Sequence, residues 1–98
     1  MRFEWDSLKN RINQVKHDGL DFETAARVFD DPNLILRLDR IVEGEQRWHA
    51  IGAVSAALLI VVHVYRKDDS NGEETIRIIS AREANQQERR TYVHQASH

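Results

Sequence analysis

The hydrophobic positions along this chain change period twice, and the changes divide it into three parts. Phe3-Glu4-Trp5 reads as a short strand or extended lead-in. From Ser7 to about Lys16, apolar residues recur at Leu8, Ile12 and Val15, spaced i, i+4 and i+7. That spacing predicts a helix with one apolar face turned to the core. Asp6 is a good N-cap for it, and Gly19 is a natural residue just past its end. A second helix follows behind Asp21, with Phe22, Ala25, Ala26 and Phe29 on one face. Asp30-Asp31-Pro32 ends it, because proline disfavours a helical residue before it. The short turn between the two helices predicts a packed hairpin.

From Asn33 the period becomes two. Leu34, Leu36 and Leu38 alternate with Ile35, Arg37 and Asp39, a strand pattern. Val42-Glu43-Gly44-Glu45 reads as a turn, and Gln46 to Gly52 as a second strand. Ala53 to Ala57 carries no strong breaker, so Ala50 to Val62 also admits a reading as one buried helix. Two strands are preferred, because Leu59 to Val62 continues into His63-Val64-Tyr65 with strand chemistry. Lys67 to Glu74 is a polar loop with an Asn-Gly signal.

The third part opens with a strand from Thr75 to Ile79, interrupted by Arg77 between apolar neighbours. Ser80-Ala81-Arg82-Glu83 then has the form of a capping box, Ser80 as N-cap and Glu83 reaching back. It predicts a helix from Ala81 toward Gln95, poor in large apolar residues, with His94 to His98 as a tail. Burying a guanidinium without a partner is expensive, so Arg77 is expected to reach a cleft or an acidic group. Arg82 would sit in the first helical turn, the end that favours anions. The expected strand-to-helix junction thus makes a phosphate site from Arg77 and Arg82, unless both are spent on ion pairs with Glu43, Glu45 or Glu83.

Ninety-eight residues amount to a single domain over 1–98. The fold class is α+β: two N-terminal helices packed on an antiparallel sheet, with a C-terminal helix. No cysteine is present, which excludes disulfide and thiolate chemistry. The formal charge is −2 with 31% charged residues of mixed sign, so any anion-binding surface must be local. The N-terminus has no apolar signal core, and the longest apolar stretch, Ala50 to Val62, falls short of the ~20 residues a spanning helix needs. A cytoplasmic protein with no membrane contact is expected. The five histidines are scattered without ligand spacing, so neither a metal nor another cofactor is expected.

Several fragments, taken together, resemble the BrnT family, the toxin half of bacterial type II toxin–antitoxin pairs. They are Phe3-Glu4-Trp5-Asp6, Lys9 and Asn13 before Lys16-His17-Asp18-Gly19, and Phe22-Glu23-Thr24-Ala25. Phe29-Asp30-Asp31-Pro32, Gly44 to Trp48 and Ile51-Gly52 continue the series, and Ile76 to Arg82 runs on to Glu88-Arg89 and Tyr92. They cover nearly the whole chain in order; the alanine-rich Ala53 to Ala57 departs from the clearer turn usual there. The resemblance implies a RelE-like fold and a ribonuclease that inhibits translation when free. It also implies a BrnA-like antitoxin that neutralises the toxin in a hetero-oligomer, expected as a heterotetramer. Operator DNA would then be bound only through the antitoxin.

Metal-independent RNA cleavage uses the ribose 2′-hydroxyl as nucleophile. It needs a base, cations on the phosphate and an acid for the leaving oxygen. Arg77 and Arg82 are the first candidates for the phosphate, since the planar arginine fork suits it, with Arg47 as a third cation. His63 has the side chain for acid–base work, and Glu45 is the alternative base. Lys16 and His17 at the end of the first helix, Trp48 as a stacking platform, and Arg89 on the last helix are candidate RNA contacts. The antitoxin is expected to cover the sheet and the last helix near Arg77 and Arg82. The rival reading is a non-catalytic RelE-like interaction protein, acting only as an antitoxin-bound co-repressor or assembly subunit.

Overall fold

The computed structural model describes residues 1–96. Over these the order is β1 (Arg2–Trp5), α1 (Ser7–Lys16), α2 (Phe22–Ala26), a 3-10 turn (Arg27–Asp30), β2 (Ile35–Val42), β3 (Glu45–Val54), β4 (Ala57–Lys67), β5 (Glu74–Glu83) and α3 (Gln86–Ala96). The strands form one five-stranded sheet in the order β1-β5-β4-β3-β2. The chain is therefore α+β with a C-terminal helix. The sheet is mixed rather than purely antiparallel: β2 to β5 form an antiparallel meander, which brings β5 back to pair in parallel with β1.

Turn chemistry sets the hairpins. Glu43 and Gly44 both lie at positive φ, 51° and 79°, the form of two-residue turn that matches strand twist. The β3–β4 turn is Ser55-Ala56, with Val54 opposite Ala57 and Ser55 at φ 54°. Ala50 to Val62 is thus two strands around a tight reversal, made without the Gly or Asn that usually marks one. Gly52 does not end β3 but lies inside it: a Cβ there would stand 2.9 Å from Val28 Cβ, so the missing side chain lets the 3-10 turn pack directly on the strand.

Both faces of the sheet are used. On one, Ala50, Val54, Leu59, Val61, Ile76, Ile78 and Ala81 pack against Phe22, Ala25 and Val28. On the other, Ile35, Ile51, Leu58, Ile60 and Ala84 form a smaller cluster to which Tyr92 of α3 adds its ring.

Two expectations fail here for physical reasons. The helix expected from Ser80 begins five to six residues later. β4 is eleven residues long and keeps pairing with β5 as far as Leu59 opposite Glu83. The ladder satisfies backbone groups that a helix start at Ser80 would leave orphaned. The working capping box is Asn85-Gln86-Gln87-Glu88: Asn85 Oδ1 accepts from the Glu88 N–H and Glu88 Oε1 from the Asn85 N–H, both at 2.8 Å. Helix α3 continues to Ala96, so the expected tail from His94 begins inside it; Ser97 and His98 lie outside the described residues.

Helix α1 is turned the other way from its expected orientation. Leu8, Ile12 and Val15 are 60%, 48% and 83% exposed, whereas Asn13 is 4% exposed. The helix docks through its amides. Asn13 donates to the Leu20 carbonyl and accepts from the Ala81 N–H, and Asn10 accepts from the Phe22 N–H. Each buried polar group is matched, so the polar face goes inward at little desolvation cost.

Candidate active face

Cross-strand register arranges the second sheet face in rows, because residues directly opposite each other in neighbouring strands share a face. One row is Ile35, Ile51, Ile60 and Arg82. The next is Arg37, His49, Val62 and Ser80. Beyond it Arg40 stands opposite Arg47, and Arg77 stands between Val64 on β4 and Glu4 on β1. Period-two alternation along β3 keeps Glu45, Arg47 and His49 on this one face. The first row lies under α3; the others carry the charge.

The bulge between Leu38 and Arg40 turns Asp39 toward His49, whose Nε2 lies 3.4 Å from Asp39 Oδ2. A carboxylate so placed fixes the tautomer and orientation of an imidazole. Glu45 pairs with Arg66 at 3.4 Å, and Arg77 donates to Glu4 at 3.3 Å, a single long contact. Arg47 Nε is buried with no hydrogen-bond partner among the described residues. A buried N–H left unmatched is costly, which favours any arrangement in which this guanidinium meets an oxygen. Strands lie about 4.8 Å apart, so Arg47 and Arg77 flank β4 with backbones roughly 10 Å apart, a span their long side chains can close.

Arg82 shares the face but not the freedom. It is a strand residue, not a helix-start residue, and its two terminal nitrogens donate to the two oxygens of Glu88, each at 2.8 Å. Neither Glu43, Glu45 nor Glu83 supplies that partner carboxylate. The Arg82 guanidinium, the largest influence, together with the Asn85 N–H holds Glu88 down to about 2 against the cost of burial. This bidentate pair ties α3 to β5. A second tie joins Tyr92 Oη to Asp31 Oδ2 at 2.6 Å, and Asp31 also accepts from the Asn33 and Ala53 N–H groups. Burial pushes the Asp31 carboxyl up, but these three donors outweigh it and leave it below its usual range.

His63 points away from this face. It is fully buried, stacked edge-on against Phe29 and Tyr65, with its Nδ1 3.1 Å from the Val61 carbonyl. Burial lowers its pKa and keeps it neutral. Trp48, opposite His63, is half-buried against Tyr65 on that same opposite face. Lys16 and His17 line a groove of about 470 Å³ floored by Leu20, Val54, Ala57 and Leu59, with Arg82 at its edge. Arg89 lies on the exposed side of α3.

Of the expected catalytic residues, the fold therefore gathers Glu45, Arg47 and Arg77 and sets His63 and Arg82 apart. It adds His49, Asp39 and Arg37, which the sequence reading passed over as members of alternating strands. Alternation puts His49 beside Arg47; only the Leu38–Arg40 bulge, invisible in the pattern, gives it Asp39. Among the described residues no group of three or more His, Asp or Glu side chains is placed to hold a metal ion.

A family model described as the ribonuclease toxin BrnT of type II toxin–antitoxin systems matches residues 5–88. The chain belongs to the BrnT family. Membership makes it a type II toxin–antitoxin protein of a ribonuclease-toxin family, one that implies an antitoxin partner. The match starts at Trp5 and ends at Glu88, the residue that locks Arg82 and caps α3. None of the curated proteins compared matches the chain. No helix among the described residues is long and apolar enough to cross a membrane.

Proposed function

We propose that this BrnT-family chain is a metal-independent endoribonuclease whose active face is the open, basic half of the sheet. The observation that carries the reading is the row Glu45, Arg47, His49 on one face of β3, with Arg77 across β4. Arg47 and Arg77 hold the scissile phosphate. Glu45 takes the proton of the ribose 2′-hydroxyl, and the 2′-oxygen attacks phosphorus. The 5′-oxygen leaves and receives a proton from His49, which Asp39 orients. The products are a 2′,3′-cyclic phosphate and a 5′-hydroxyl end. Arginine neutralises the charge that develops on the phosphoryl oxygens, the task a metal would otherwise perform.

The biological setting follows from this chemistry. Cleaved RNA halts translation in the cytoplasm, and a BrnA-like antitoxin neutralises the enzyme in a heterotetramer that alone contacts operator DNA. The sheet with helices on both faces suits a RelE-like arrangement. The test is cleavage of a short end-labelled RNA by the purified chain in EDTA. Cyclic-phosphate ends are expected, with the rate falling about 10²–10³-fold in Arg47→Ala, the usual effect of losing one preorganised donor. Cleavage that requires added divalent metal, or full activity in Arg47→Ala, overturns the assignment. If no RNA is cut while operator binding with the antitoxin persists, the protein is a co-repressor instead.

A further inference from the structure

Helix α1 is inside out for a surface helix. Its amide face is buried and its apolar stripe, Leu8, Ile12 and Val15, faces solvent among the described residues. At 100° per residue Arg11 falls on one side of that stripe, and Lys9 and Lys16 on the other. All three cations are exposed, and the helix holds no acidic residue. Such a surface has two complementary requirements: apolar side chains at helical spacing, and carboxylates on both flanks. The net charge of −2 is spread elsewhere, so this cationic border is local.

We infer that α1 is the anchoring site for an acidic amphipathic helix of the antitoxin, an assignment that rests on the toxin reading above. The stripe alone is too small. A ten-residue helix is about 15 Å long, and a stable complex buries at least ~1,200 Å². The surface continues, however. Lys16 ends the helix and lines a groove shared by the apolar Leu20, Val54, Ala57 and Leu59, the cation Arg82 and the carboxylates Asp18 and Glu83, so the same partner segment would enter it with an apolar side chain and keep its own carboxylates on the α1 flanks. Other occupants match less well. A second copy would set Lys9, Arg11 and Lys16 against their own counterparts. RNA gains nothing from three aliphatic side chains. An interfacial membrane helix would need more apolar surface than three residues supply. Because α1 docks against β5, where Asn13 accepts from the Ala81 N–H, two strands away from Arg47 on β3, anchoring and inhibition are separable: one part of the antitoxin grips α1 while another blocks the basic face.

The experiment measures affinity of the full chain for the antitoxin encoded beside it, together with RNA cleavage by the free chain. Leu8→Asp/Val15→Asp alters exposed positions only. It is expected to weaken the complex about 30-fold or more, the effect of losing an interface hot spot, with thermal stability and cleavage unchanged. Lys9→Glu/Arg11→Glu keeps the apolar stripe and tests the flanks; it is expected to weaken binding and flatten its salt dependence. It also serves if the first variant folds poorly. Undiminished affinity in both variants overturns the inference. So does a variant that loses cleavage, one that converts a dimeric free chain to monomer by light scattering, or one that abolishes binding to phosphatidylglycerol vesicles. If the wild-type free chain cuts no RNA, the ribonuclease reading fails, and the affinity comparison still decides the anchor.

Discussion

Two halves of one sheet face carry arginines to opposite ends. Under α3, Arg82 meets both oxygens of Glu88 and lies beside Ile60, in a row otherwise made of isoleucine. Five residues earlier on the same strand, Arg77 has one long contact to Glu4, and across β4 Arg47 keeps an unmatched Nε among the described residues. The same side chain is a structural tie in one half and an available cation in the other. Partner geometry separates the two: a bidentate pair of two 2.8 Å bonds to the buried Glu88 occupies both terminal nitrogens of Arg82, whereas a single 3.3 Å contact to the half-buried Glu4 is readily exchanged. Residue type alone therefore does not identify an active arginine.

The largest effect that would sharpen this contrast is in the open half. Arg47→Ala/Arg77→Ala is expected to lower RNA cleavage by more than ~10³-fold with little change in stability, since each variant removes a donor and no packing core. Equal activity in the double variant would erase the distinction. Next comes the closed half. Glu88→Ala removes the bidentate partner of Arg82 and half of the capping box, and should destabilise the fold by about 2 kcal/mol, a figure kept low because Arg82 is partly exposed. Denaturant unfolding measures it.

Glu88 also sets a pH dependence. Its folded pKa, about 2, lies below its ordinary value of 4.5. The stabilisation it gives is thus complete above pH 4.5 and lost as the pH falls from there toward 2. Glu88→Gln should flatten that limb of a stability–pH curve. His63, held neutral by burial, acts at higher pH: the unfolded chain takes up a proton below about 6.5 that the folded one resists. Stability should begin to decline below that point, and His63→Leu should remove the decline. The smallest effect expected is from Tyr92→Phe, which deletes the hydrogen bond to Asp31 and should cost about 1 kcal/mol, seen as a modest fall in Tm.

Much of the fold was legible in the chain. Asp6 and Asp21 accept from the first-turn N–H groups as their positions predict. Glu43-Gly44 makes the hairpin turn, and alternation located β3 and Arg47. Where legibility stopped, the missing information was tertiary. Periodicity shows that α1 has an apolar and a polar side, but not which side goes in; Asn10 and Asn13 decide it because the Leu20 carbonyl and the Phe22 and Ala81 N–H groups lie ready for them. Two capping-box patterns occur within nine residues, from Ser80 and from Asn85, and only the length of β4 chooses between them. The turn at Ser55 carries no sequence signal because a serine, not the usual glycine or asparagine, takes the positive φ there, at a steric cost that the flanking ladder of β3 and β4 outweighs. The candidate site was half legible: Glu45, Arg47 and Arg77 announce themselves as charges in strands. Setting Arg82 aside required its partner Glu88, six residues on, in a helix that starts later than local pattern placed it.

The most direct test measures cleavage rate per folded molecule and Tm for Arg47→Ala and Arg82→Ala side by side, on one RNA in EDTA. The division of the face predicts a rate loss of about 10²–10³-fold with unchanged Tm for Arg47→Ala. For Arg82→Ala it predicts a lowered Tm and a rate within a few-fold of the parent. The reverse pattern, with Arg82→Ala inactive at full stability and Arg47→Ala active, would contradict it and return the phosphate to the α3 end of the sheet.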